Sequence, residues 1–201
     1  DHAIIHADVP GAPEYFLQLG RRAAEILAAA GYPLCLGGIM ADRPECCRTP
    51  ASWRETFSGW IHALEPHDLL QTKVFFDFRG LNGDDDLILG LRAHLQAEIA
   101  GEPRFCHLLA HSILQYEPPL SAFGTFTVET LDGVRATFDV KGVLAQIVDI
   151  ARLRALQHGV AEVGTVPRLE ALAARGALKP QTAESTIEAF RFLQELRLRH
   201  Q

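Results

Sequence analysis

The sequence has little that would take it out of water. No apolar run approaches the roughly 18 residues needed to span a bilayer, and the opening residues do not read as a secretory signal. Positive charge is in deficit: 19 Lys and Arg face 25 Asp and Glu, giving a net charge of −6. That balance argues against bulk nucleic-acid binding, which needs a basic face. It leaves room for a local basic pocket that takes a nucleotide. Cysteine is sparse, with four residues at 35, 46, 47 and 106. Neither the Cys46–Cys47 neighbours nor the wide gaps form a C-x-x-C pair. Cys106, His107 and His111 could meet on a helix, but without paired-ligand spacing no metal site is expected there. Reduced thiols in the cytoplasm are the expectation. There is one Met, Met40, and the chain opens on Asp1, so it is expected to be a piece of a longer protein.

What is present suits a core. Of the 201 residues, 48% are hydrophobic and 22% charged, ordinary for a soluble globular chain and enough for one domain or two small ones. AIIHA at 3–7 is a short strand candidate, broken by Pro10 and Gly11. Helical spacing follows over 13–30, with Gly31 as its stop. Ser52 and Glu55 form a capping-box pattern that opens a helix to about Ala63. A short helix at about 65–71 leads to KVFFDFR, residues 73–79, which reads as a strand. Further helices are expected at 85–100, 103–115, 167–174 and 180–199, and on the repeat of Leu144, Ile147, Val148, Ala151 and Ala155. Between them GTFTVET, LDG and VRATFDV read as a β-hairpin turned at Asp132–Gly133. The expected fold class is α+β: a small mixed sheet with helices over 1–79, then a mostly helical domain with one hairpin over 80–201.

KVFFDFR carries the question of chemistry. Asp77 stands among three Phe, and a buried carboxylate needs a base, a donor or a metal beside it. One reading pairs it with Arg79 or Lys73 or leaves it in water. The other aims it into a cleft to hold a cation or take a proton. Asp1 at the entry to the first strand would be a second acid, and carboxylates on neighbouring strands suit Mg²⁺ and phosphate chemistry.

DHAII, GGIMA, SWRETFSGWI, VFFDFRGLNGD, FDVKGVLAQIVDIARLRAL and the closing LRLRHQ occur in order along the chain. This set resembles the nucleotidyltransferases that accompany cyclic-nucleotide-binding and CBS domains in bacterial signalling proteins. They are similar in turn to PII uridylyltransferase and the DNA polymerase β superfamily. The resemblance implies a truncated nucleotidyltransferase sheet followed by a helical substrate-binding domain. It implies transfer of a nucleoside monophosphate from a nucleoside triphosphate to an acceptor, a protein among the options, with Mg²⁺ or Mn²⁺. On it, Asp1 and Asp77 become metal ligands and Asp77 the candidate general base. The Gly-Ser turn and first acid of such proteins are not in this stretch, so the chain by itself is expected not to catalyse.

Other residues are candidates for holding substrate. Asp139 and Lys141 alternate in FDVK and would share a strand face; Asp149 and Arg152 are three apart on the next helix. Arg79, Asp139, Lys141 and Arg152 are the expected substrate-binding set, with a salt-bridge network as the equal alternative. Trp53 and Trp60 read as core, Gly37–Gly38 as a turn, Asp84–Asp86 as a helix start, and His2 and His6 as one strand face. The rival functions are a nucleotide-sensing regulatory module without turnover and a protein-interaction domain in a signalling protein, with a homodimer left open.

Overall fold

The computed structural model describes residues 1–63, 66–116, 129–131, 134–137 and 139–199, with backbone alone at 66–70, 129–131 and 134–137. The chain divides into two compact units that exchange segments. One holds residues 1–60 and 80–95, the other 61–79 and 96–201.

In the first unit, β1 (Ile4–Ile5) pairs in parallel with β2 (Cys47–Arg48), in the register Ile4 to Cys47 and Ile5 to Arg48. Helix α1 (Ala12–Ala29) lies between them in sequence and packs on β2. A proline in its first turn costs nothing, because the missing N–H would have no helical partner there. Its end follows from Gly31, at φ 93°. The N–H of Tyr32 reaches back to Leu27 O and that of Gly31 to Ala28 O, a closure that needs the left-handed conformation glycine allows. Gly20 serves differently: it brings the helix backbone against Ala41, where a Cβ would collide with the Ala41 carbonyl. Helix α2 (Pro50–Ala63) starts two residues earlier than its capping-box pattern suggested. Thr49, not Ser52, is the cap, its Oγ1 accepting from Ser52 N at 3.2 Å. Trp53 is buried, packs edge-on against Phe57 and donates from Nε1 to Ile4 O at 3.1 Å. That bond ties the helix to β1.

In the second unit, α3 (Pro66–Phe75) ends where a strand was expected. KVFFDFR is the last turn of this helix and the turn after it, and Asp77 sits in that turn. The Phe residues favour a strand by composition, but Phe76 is buried against the ring of Phe105, so one aromatic anchors the helix end. Helix α4 (Asp85–Gly101) crosses from the first unit into the second; its first-turn acids suit the positive end of the helix dipole. Helix α5 (Pro103–Leu114) buries Phe105, Leu109 and Ile113 along one stripe. Strands β3 (Glu129–Leu131) and β4 (Val134–Thr137) form the expected antiparallel hairpin, Leu131 opposite Val134; its Asp132–Gly133 turn lies outside the described residues.

The rest is a three-helix pack of α6 (Val140–Gln157), α7 (Thr165–Ala174) and α8 (Pro180–Arg199). Ala151, Leu169, Ala183 and Ile187 make one cluster among them, and Ala155, Val160 and Leu172 another. α7 closes on Gly176 as α1 does on Gly31, with Ala177 N bonded to Leu172 O. Asp139, Val140 and Lys141 do not form a strand, and Phe138 lies outside the described residues. Asp139 caps α6, its side chain accepting from Gly142 N at 2.8 Å, and Lys141 is already helical. The alternating-face argument for these two residues therefore does not apply. The physical reason is the cap, since an Asp three residues before a free N–H favours helix over strand.

Candidate functional site

The chemistry collects around Asp77. Its Oδ2 accepts from Arg152 Nε at 3.0 Å and Nη2 at 2.8 Å, and its Oδ1 accepts from Arg168 Nη2 at 2.5 Å. Arg152 then donates from Nη1 to Asp149 Oδ1 at 2.5 Å, and Lys73 Nζ reaches Asp149 Oδ2 at 2.8 Å. The five groups form one row of alternating sign, Arg168–Asp77–Arg152–Asp149–Lys73. They join the turn after α3 to α6 and α7, with Lys73 reaching in from α3. Each carboxylate oxygen in the row has a cationic donor.

The row is largely enclosed. The Arg168 side chain is 4% exposed and that of Arg152 10%. Arg168 also donates from Nε to Glu162 O at 2.8 Å, while its Nη1 is buried with no hydrogen-bond partner among the described residues. Burial pushes the Asp77 carboxyl up, but the hydrogen bonds and charges of Arg152 and Arg168 outweigh it and hold the group below the ordinary carboxylate value. Burial likewise favours loss of the Arg152 proton, and Asp77 and Asp149 override it and keep the guanidinium charged.

Of the expected site residues, the structure brings Asp77 and Arg152 together, and the Asp149–Arg152 pair is formed. It does not add Arg79, Asp139 or Lys141 to that row: Arg79 and Lys141 are exposed, and Asp139 is a helix cap. Asp1 is exposed in the first unit and Asp77 belongs to the second. The arrangement at Asp77 does not fit a divalent cation, because two guanidinium groups already neutralise the carboxylate and would repel the ion. Among the described residues, no three His, Cys, Asp or Glu side chains form a metal-holding group. Arg168 was not singled out in the sequence; it lies 91 residues from Asp77, and no local spacing announces such a pair.

Elsewhere, His6 is buried and stacks on Phe16 at 5.4 Å, a core role. Burial raises the thiols of Cys46, Cys47 and Cys106, as expected for packed cysteines. No described helix is long and apolar enough to cross a membrane.

The row of paired charges braces the helical unit; the class of protein comes from comparison with known families. Residues 103–201 match a family model described as "Putative nucleotidyltransferase substrate binding domain". Residues 1–67 match the one described as "Putative nucleotidyltransferase DUF294". The two matches, in that order, support a nucleotidyltransferase-type family for this chain. No curated protein and no solved structure matches it.

Proposed function

We propose that the chain serves a nucleotidyltransferase that moves a nucleoside monophosphate from a nucleoside triphosphate to an acceptor, with the helical residues 103–201 holding substrate. The observation that carries this reading is the ordered pair of family matches, catalytic-type first and substrate-binding second. The reading includes Mg²⁺ or Mn²⁺ as the counter-charge of the triphosphate. It also includes a protein acceptor, a cytoplasmic setting, kinship with PII uridylyltransferase, and attached cyclic-nucleotide-binding or CBS domains in a bacterial signalling parent.

The residues take different parts in it. Exposed Lys141 and Arg79 are the cations assigned to substrate. Asp77 and Arg152 are positioning residues that fix the α3 turn against α6 and α7. Of the two acids expected to hold metal, Asp1 is the exposed one. The test is incubation of the native gene product with α-labelled ATP, UTP, GTP and CTP, with Mg²⁺ or Mn²⁺. Label transferred to a protein or small acceptor supports the reading; no transfer from any of the four with either metal overturns it.

A second reading has its own observation. Both oxygens of Asp77 are occupied by arginines, which favours a module that binds nucleotide without turning it over. Metal-independent nucleotide binding with no transfer would select it.

A further inference from the structure

Helices α6 and α8 run antiparallel. Ala151 packs with Ala183 and Ile187, and beyond that contact residues 141–149 lie beside 190–198. There the helices part into an open groove of about 570 Å³. Its floor is aliphatic, from Leu144 and Val148, with the buried ring of Phe190 beneath and Leu198 at the edge. Its charged lining is Lys141, Arg197 and Asp149. Asp149 is neutralised on both oxygens by Arg152 and Lys73. The groove is therefore effectively cationic, on a chain whose net charge is −6.

We infer that this groove takes an acidic amphipathic segment of a protein partner, apolar side chains on the floor and carboxylates toward Lys141 and Arg197. This deepens the proposed function and rests on it, since it gives the substrate-binding helices a protein acceptor to dock. Three observations choose a peptide over a nucleotide. The Phe190 ring is 8% exposed and offers no face for a base to stack on. The N–H of Gly142, in the first turn of α6, is already taken by Asp139 and does not cradle a phosphate. Leu198 is 73% exposed at the groove edge, a cost in water that an apolar side chain from a partner would remove. Laying an amphipathic segment between two helices is a recurrent recognition mode, in which apolar anchors give affinity and charge gives orientation.

The test uses the full chain and a labelled amphipathic peptide of Leu and Glu, with a Leu and Gln peptide as control, followed by fluorescence anisotropy. The expected result is saturable binding of the Glu peptide and at least tenfold weaker binding of the Gln peptide. Lys141→Glu with Arg197→Glu should also weaken binding at least tenfold, while Arg21→Glu, exposed on α1 and not among the residues that line the groove, leaves it unchanged. Lys141 and Arg197 are exposed, so the charge-reversed chain should keep its helical circular dichroism. If it does not, Lys141→Gln with Arg197→Gln is read instead. Equal binding of the two peptides, insensitivity to both double variants, or ATP or tripolyphosphate bound at the groove in place of the peptide overturns the inference. Label transfer by the native protein without peptide binding sinks the groove alone. Peptide binding without label transfer sinks the catalytic reading alone.

Discussion

Arg152 gives two of its N–H groups to a single oxygen of Asp77, at 3.0 and 2.8 Å, and turns its third nitrogen to Asp149. One planar cation thus bridges the α3 turn and its own helix. A lysine has a single charged nitrogen and cannot hold both carboxylates in that plane. Arg152→Lys is expected to lower stability by about 1–3 kcal/mol, in the range for hydrogen bonds to charged groups, measured as a shift in the urea midpoint. An unchanged midpoint would mean that the bridge contributes nothing.

The same row predicts a response to acid. The Asp77 pKa is depressed in the folded state, so its contribution to stability is complete above the unfolded value of about 3.9. That contribution is lost as pH falls through the folded value. The gap in thermal midpoint between the native chain and Asp77→Asn should be widest at neutral pH and shrink below about pH 4. A gap that stays constant down to pH 2 would refute the assignment.

The α6 cap offers a local test. Asp139 accepts from Gly142 N, and the Tyr116 hydroxyl bonds to it as well. Asp139→Ala should cost about 1 kcal/mol, as cap removals do, and Asp139→Asn much less. If Asp139 instead served substrate alone, both variants would unfold at the native midpoint.

Gly20 tests the packing of α1. Its missing Cβ leaves room for the Ala41 carbonyl and for Asp42 N, which a Cβ would meet at 2.9 Å. Those neighbours are backbone and cannot swing aside. Gly20→Ala should cost about 1–3 kcal/mol by overpacking, despite the better helix propensity of alanine. A stabilised variant would show that α1 shifts freely.

Where local chemistry decides, the helices were legible. α8 begins and ends where its Pro180 and apolar spacing put it, and α1 stops one residue before its C-cap and two before Gly31. Two misreadings share a cause. KVFFDFR and FDVK both look like strands by composition, yet each borders a helix. A tertiary partner settles the first, Phe105 for Phe76, and a local cap the second, Asp139 on the Gly142 N–H. Strand propensity describes a half-buried pleated surface rather than an intrinsic preference, and neither the α3 turn nor the α6 cap provides one. At the site, Asp149–Arg152 was readable because three residues make helix neighbours. Asp77–Arg168 was not, because its partners come together only in the folded chain.

Asp77 braces the second unit through its arginines. Urea denaturation of Asp77→Asn tests it most directly, with nucleotide binding measured on the same sample with Mg²⁺ and with EDTA. Leaving two buried guanidinium groups without their carboxylate should cost about 3 kcal/mol. Converting Arg152 and Arg168 to Met in the same chain should restore part of that loss. A native urea midpoint in Asp77→Asn, together with loss of Mg²⁺-dependent nucleotide binding, would contradict the brace and make Asp77 a metal ligand.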